Sequence, residues 1–146
     1  GSVDAIVSTA GNGQLLPLHQ HTDDDYQSVL HNKLMGQVNL FRYGIQNLNE
    51  GGSVTLTSGR AHREPMPGTS SIAMGTAAIE GFVKAASVEL EGIRLNTVSP
   101  AVVKESLEKL GFDMPGAVTV ADTAKAYLAA IGGDYQGEIL QSADFV

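Results

Sequence analysis

The chain has no cysteine and no tryptophan among its 146 residues, and aromatics make up only 5%. Without cysteine there is no disulfide framework, zinc–thiolate centre or thiol nucleophile, and the absence suits a reducing, cytoplasmic setting. Lys and Arg number nine against sixteen Asp and Glu, for a formal charge of -7. That shortage argues against a nucleic-acid or anionic-membrane binder, since either needs a basic face. No apolar run approaches the roughly 20 residues that span a bilayer, and no basic-then-apolar signal segment opens the chain. Gly1-Ser2 reads as a tag remnant. What is present is 42% hydrophobic, aliphatic and Ala-rich, enough to bury the core of a single domain over 1–146.

The pattern alternates between strands and helices. Val3–Thr9 is a β-branched run ending in Ala10-Gly11-Asn12-Gly13, a buried strand entering a turn. A loop follows from Gln14 to His21. Thr22-Asp23-Asp24-Asp25 then marks a helix start, with an acid three residues after a capping Thr and three acids at the positive end of the dipole. Leu30, Leu34, Val38, Phe41, Ile45 and Leu48 trace one face of a long helix that ends near Asn49-Glu50-Gly51-Gly52. Ser53–Ser58 is a second strand and Gly59–Gly68 a charged, Pro-rich loop. Ser70–Glu91 is a second long helix, with a buried side of Ala73, Ala77, Ala78, Ala85 and Ala86 beside Ile72, Ile79, Phe82 and Val83. Ile93–Ser99 is a third strand, stopped by Pro100. Val103–Leu110 is a short amphipathic helix closed by Gly111. Thr119-Val120-Ala121-Asp122 starts a helix carrying Ala124, Tyr127, Leu128 and Ile131, and Glu138–Gln141 is a short fourth strand.

This order implies parallel strands joined by right-handed crossovers, with both sheet faces covered. The expected fold is α/β: a partial Rossmann-like three-layer sandwich of about four parallel strands with flanking helices. A ligand then lies at the carboxyl ends of the strands, which are Thr9-Ala10-Gly11, Ser58-Gly59 and Ser99-Pro100-Ala101.

At those ends the sequence resembles the short-chain dehydrogenase/reductase family. Ile6-Val7-Ser8-Thr9-Ala10-Gly11 is similar to the family's Asn-Asn-Ala-Gly strand end. Gly52–Gly59 resembles the strand that carries its catalytic Ser. Gly75–Phe82 resembles the helix of its Tyr-x-x-x-Lys, and Gly92–Pro100 the strand before its Pro-Gly turn. The stretch Lys33–Leu40 resembles a small, atypical subgroup. The resemblance implies an NAD(P)-dependent oxidoreductase of a small carbonyl or alcohol, with Thr9, Ala10, Gly11, Pro100, Ala101 and Val102 at the cofactor. It also implies a homo-oligomer joined through the two long helices. It covers the C-terminal part of the family fold; the N-terminal dinucleotide-binding half is absent from 1–146. Gly11-Asn12-Gly13 opens no helix and reads as a turn, not a phosphate loop.

The proton relay departs from the family. Alignment on Ala77-Ala78-Ile79-Glu80-Gly81 puts Ile72 at the Tyr position and Thr76 at the Lys position. Ala101 stands in place of the Gly after Pro100. Ser58 matches the catalytic Ser, and Lys33 falls near the family's helix Asn. Ser58 either orients substrate or satisfies loop backbone groups. Lys33 either replaces the missing acid on burial or is a solvated helix lysine. His19 and His21 with Asp23–Asp25 offer metal-ligating types on a flexible loop, against the acids' role at the helix start; no metal is expected. Arg60, His62 and Arg63 either bind a substrate carboxylate or phosphate, or form a charged loop paired with Glu64. His31 and His62 read as surface residues. The chain as given is expected to be inactive, the alternative being a non-catalytic scaffold or a cofactor-sensing member that self-associates.

Overall fold

Alternation along two strands decides the layering. In the computed structural model, which describes residues 1–109, 111 and 113–146, β2 (Leu48–Thr57) and β3 (Arg94–Ser99) pair in parallel register, Val54 opposite Leu95 and Thr57 opposite Val98. Side chains alternate between sheet faces. Val54, Leu56 and Leu95 therefore share one face, where they meet Phe41, Ile79 and Val83. Val98 turns to the other, where it meets Ala126, Ala130 and Leu140. With β1 (Val3–Val7) and β4 (Ile139–Gln141) the sheet has the order β1-β2-β3-β4, all parallel.

The first face is covered by a continuous helical run and by α3 (Ser70–Ser87). That run is α1 (Asp23–Ser28), a π-helical stretch at Val29–Met35 and α2 (Gly36–Gly44). Phe41 and Phe82 join α2 to α3 edge to face, with centroids 5.6 Å apart. The second face is covered by α5 (Val120–Gly132), which follows the short α4 (Lys104–Lys109). This is the three-layer α/β arrangement the sequence implies. One expectation changes: every crossover steps in the same direction across the sheet, but the last passes over the opposite face. Its hand is therefore opposite to that of the first two, so the crossovers are not all right-handed.

Both Thr-x-x-Asp helix starts form. The Thr22 hydroxyl accepts from the Asp25 N–H while the Asp25 carboxylate accepts from the Thr22 N–H, a complete capping box. Thr119 caps α5 through the Asp122 N–H.

Several boundaries move. β1 ends at Val7, not Thr9, and β4 begins at Ile139. β2 begins at Leu48, because Leu48 pairs with Val3 and the register then jumps to Ser53 opposite Ala5. Asn49–Gly52 is thus an irregularity within the strand, and helical structure stops at a 3-10 turn, Ile45–Asn47. α3 closes at Ser87, whose hydroxyl donates to the Lys84 carbonyl, four residues before Glu91. β3 starts at Arg94 and α4 at Lys104; Leu110 lies outside the described residues.

One helix face also differs from the expectation. α3 turns Ser71, Gly75, Thr76, Ile79, Glu80, Val83 and Ser87 inward, leaving Ala77 and Ala85 exposed. α5 buries Thr123, Ala126 and Ala130, and Leu128 is 67% exposed. No helix among the described residues is long and apolar enough to cross a membrane.

Candidate functional site

The carboxyl ends of β1, β2 and β3 converge where the helical run is least regular. A π-turn leaves a carbonyl short of its usual partner, and Gln37 supplies one. Its fully buried side chain donates from Nε2 to the Lys33 carbonyl at 3.1 Å and to the Thr57 carbonyl at 2.9 Å, and its Oε1 accepts from the Thr57 N–H at 2.8 Å. β1 has left the ladder by Ser8, whose N–H makes the last bond, to Thr55 O. The Gln37 amide then takes the place of the missing strand.

Ser58, one residue past β2, is 3% exposed and donates to Glu80 Oε1 at 2.8 Å. Glu80 is itself buried in α3 and takes two further bonds, from His62 and Arg63. His62 Nε2 donates to its Oε2 at 3.0 Å, Arg63 donates from Nη1 at 2.5 Å, and Arg63 Nη2 continues to Ser99 Oγ at 2.5 Å. His62 Nδ1 lies 3.0 Å from Thr76 Oγ1. One carboxylate thus fastens the end of β2, the loop after it and, through Arg63, the end of β3. His62 is not the surface residue the sequence suggests. The basic cluster divides: Arg60 pairs with Glu64 as the charged-loop reading has it, and Arg63 turns inward to Glu80.

Two clefts flank Pro100. One, about 400 Å³, is mostly apolar and is bordered by Leu15, Met66, Ile72, Ala101, Val102 and Met114, with Arg60 and Glu64 also at its edge. The other, about 550 Å³, is bordered by Thr9, Thr57, Ser106, Thr123 and Tyr127. The Tyr127 hydroxyl lies 2.7 Å from Thr57 Oγ1, which donates to the Ser8 carbonyl. Burial pushes the Tyr127 phenol above its ordinary pKa, and the bond to Thr57 opposes that shift.

The residues singled out from the sequence therefore separate. Thr9 and Pro100 border the hydroxyl-rich cleft, and Pro100, Ala101 and Val102 border the apolar one. The Ala101 N–H donates to Ser142 Oγ. Ala10 and Gly11 are exposed, and Gly11 packs on the stem of Lys33. Lys33 is half-buried, contrary to a solvated helix lysine, and burial lowers its pKa. No hydrogen bond joins Lys33 to Ser58 among the described residues. Ile72 sits in the apolar cleft, and Thr76 is buried behind it. His21 lies 3.1 Å from Ser71 Oγ, and Asp25 is engaged in its cap.

Glu80 and Gln37 were not singled out from the sequence. Each is a polar residue within a helix whose neighbours are apolar, and that interruption was the only signal.

The chain spans about 40% of the length of the curated relatives it matches. It is 33% identical over 109 residues to the hydroxynaphthalene reductase arp2 of Aspergillus fumigatus, covering 73% of this chain and 40% of that one. It is 32% identical over 102 residues to the short-chain dehydrogenase/reductase ATR9 of Stachybotrys chlorohalonatus, covering 68% and 40%. Among solved structures, the protein lin1944 from Listeria innocua superposes with a TM-score of 0.90 at 40% identity, over 97% of this chain and 72% of that one. A small-chain dehydrogenase in complex with NADPH superposes at 0.86 with 28% identity, over 97% and 72%. Residues 1–132 match the family model described as enoyl-(acyl carrier protein) reductase, and with these relatives the match establishes that the chain belongs to the short-chain dehydrogenase/reductase family.

Proposed function

We propose that the chain is the substrate-side part of an NAD(P)-dependent oxidoreductase acting on a small carbonyl or alcohol, and that as given it does not turn over by the family's tyrosine relay. The observation that carries this is Ile72 in the apolar cleft at the strand ends. Isoleucine has no proton to give where the family places its Tyr, and Thr76 brings no charge where the family places its Lys.

A nicotinamide dinucleotide, when bound, supplies or accepts hydride at the substrate carbon. The residues present fit its uncharged end: Thr9, Thr57, Ser106, Thr123 and Tyr127 offer hydroxyls around the cleft beside Pro100. They do not fit its diphosphate, because among the described residues that cleft is bordered by no cationic side chain and by no glycine-rich turn opening a helix. Of the two catalytic candidates, the Ser58 hydroxyl is committed to Glu80, and its role is to hold the strand end in place. The Lys33 ammonium has no such commitment among the described residues. Ala10 and Gly11 act by shape, as the exposed turn over Lys33.

Self-association through the long helices is part of the same reading. Met35 (38% exposed), Leu40 (40%) and Tyr43 (64%) stand away from the core on the first helical run, and a helix apolar on a second side has use for a second partner. The alternative, a non-catalytic scaffold or cofactor-sensing member that self-associates, draws on the same Ile72 and Thr76. The deciding experiment pairs nicotinamide oxidation over a panel of aldehydes and ketones with thermal melts in NADPH. Stabilisation without turnover supports the proposal. Family-like turnover that survives repurification overturns the loss of the relay, and no stabilisation leaves only the scaffold.

A further inference from the structure

Of the six asparagines in the chain, only Asn12 is followed by glycine. Asn12 and Gly13 lie between β1, which ends at Val7, and the 3-10 turn at Leu18–Gln20. Both are exposed. Among the described residues the Asn12 side chain makes no hydrogen bond, and neither does the Gly13 N–H. A main-chain nitrogen in that state, held by no helix or ladder and carrying no Cβ, is free to reach the side-chain amide before it. The other asparagines are held. Asn96 is buried, donates to the Tyr135 carbonyl and accepts from the Glu138 N–H. Asn32 donates to Ser28 and Asn49 to Asp4. Asn39 lies within α2 and Asn47 precedes Leu48.

We propose that Asn12-Gly13 is a self-modifying site, at which the asparagine converts to aspartate and isoaspartate and the turn loosens from Ile72. The Gly13 nitrogen bonds to Asn12 Cγ, and the Cγ–Nδ2 bond breaks. The Gly13 proton passes through water to Nδ2, which leaves as ammonia. The product is a cyclic imide, which water opens at either carbonyl. Opening at Cγ leaves aspartate. Opening at the main-chain carbonyl leaves isoaspartate, whose main chain runs through Cβ and Cγ and whose α-carboxylate is free. Water is the only co-reactant.

The fold makes the turn sensitive to that change. A Cβ on Gly13 would lie 2.5 Å from Ile72 Cγ1, and one on Gly11 would lie 2.8 Å from Lys33 Cγ. The main chain is thus fitted to its neighbours on both sides of Asn12, and isoaspartate adds a carbon between the two fitted points. Ile72 borders the apolar cleft beside Pro100, so displacement of Gly13 reaches the wall of that cleft. Asn12 also shares a small pocket of about 70 Å³ with Asp25, whose side chain caps α1. A second carboxylate there meets like charge.

The test ages the full chain in mildly alkaline buffer at physiological temperature, beside a synthetic peptide of residues 8–16. Peptide mapping should find the amide-to-acid mass change at Asn12, at a rate close to that of the peptide, and at none of the other asparagines. The formal charge of -7 becomes one unit more negative, which anion exchange resolves. An isoaspartyl methyltransferase with labelled S-adenosylmethionine should label the aged chain and not the fresh one. The aged form should melt lower and show shifted Ile72 methyl signals. Asn12→Gln should lose both the mass change and the label. Asn12→Asp adds the charge without lengthening the chain, and should shift the Ile72 signals less than ageing does. An intact Asn12 after the peptide has converted, or conversion spread over the other asparagines, overturns the site. Conversion with the melt and the Ile72 signals unchanged overturns its coupling to the cleft. Mapping and labelling use the unmutated chain, so they stand even where a variant fails to fold.

Discussion

The side-chain amide of Gln37 pairs with the backbone of Thr57 as a neighbouring strand would, accepting its N–H at 2.8 Å and donating to its carbonyl at 2.9 Å. Gln37→Leu keeps the volume and leaves a buried N–H and two carbonyls, those of Thr57 and Lys33, without this partner. The expected loss is about 3 kcal/mol, from unsatisfied groups of about 1–3 kcal/mol each. Urea melts measure it, and amide exchange at Thr57 should accelerate with it.

Glu80→Leu removes the acceptor shared by Ser58, His62 and Arg63. Arg63 reaches solvent, so the expected loss is about 2 kcal/mol, below the range for fully buried pairs. The loop at 59–69 should become the first site of proteolytic cleavage. Adding Arg63→Met should recover part of the loss, because the stranded charge goes with it. Purely additive melts would mean the pair is not coupled.

Gly11 has φ +141°, and a Cβ there would press on the Lys33 stem. Gly11→Ala should destabilise the protein by about 1–3 kcal/mol. Lys33→Ala in the same chain removes the 2.8 Å contact with Cγ but leaves those with Cβ and the backbone, so denaturant melts should show partial recovery.

Acid should weaken the fold through its helix caps. The Asp25 carboxyl is held below its ordinary pKa by the Thr22 N–H and hydroxyl, and that of Asp122 by bonds from Lys125 and Thr119. A depressed folded pKa adds stability above the unfolded value, and that stability is lost as pH falls through the folded one. Stability should therefore decline below about pH 4. Asp25→Asn with Asp122→Asn should flatten that decline in melts run as a function of pH.

Among the described residues β1 has a strand partner on one side only, with Val3 and Val7 at 44% and 40% exposure. No proline or lysine interrupts it. Its outward amides should exchange faster than those of Val54–Thr57, and Val7→Lys should improve solubility. Equal protection in dilute monomer would show that the edge is covered.

What was legible in the sequence was local. Thr22 and Thr119 announce their helices because cap and partner lie three residues apart. Val54, Leu56 and Leu95 announce their strands because alternation needs no distant information. Gln37 and Glu80 were not legible, because their partners, Thr57 and Ser58, lie about 20 residues away in another element. The inner face before Val38 was legible in part: Leu34 packs against the core, but Val29 is buried in place of Leu30, because one π-turn inserts a residue into the count and no residue type marks it. Ser58, Thr9 and Pro100 were found by resemblance and do lie at the strand ends. Their distribution over two clefts depends on packing that no motif carries.

The spatial order of the strands repeats their order in the chain. Each strand can thus dock on the one just before it in the chain, across a connection of roughly 40 residues. Loop-closure entropy grows only slowly with length, so each docking step faces a similar penalty. No strand must be threaded between two that are already paired. The sheet can grow in one direction as the chain emerges, with the β2–β3 pair and α3 able to form the larger core before α5 and β4 exist.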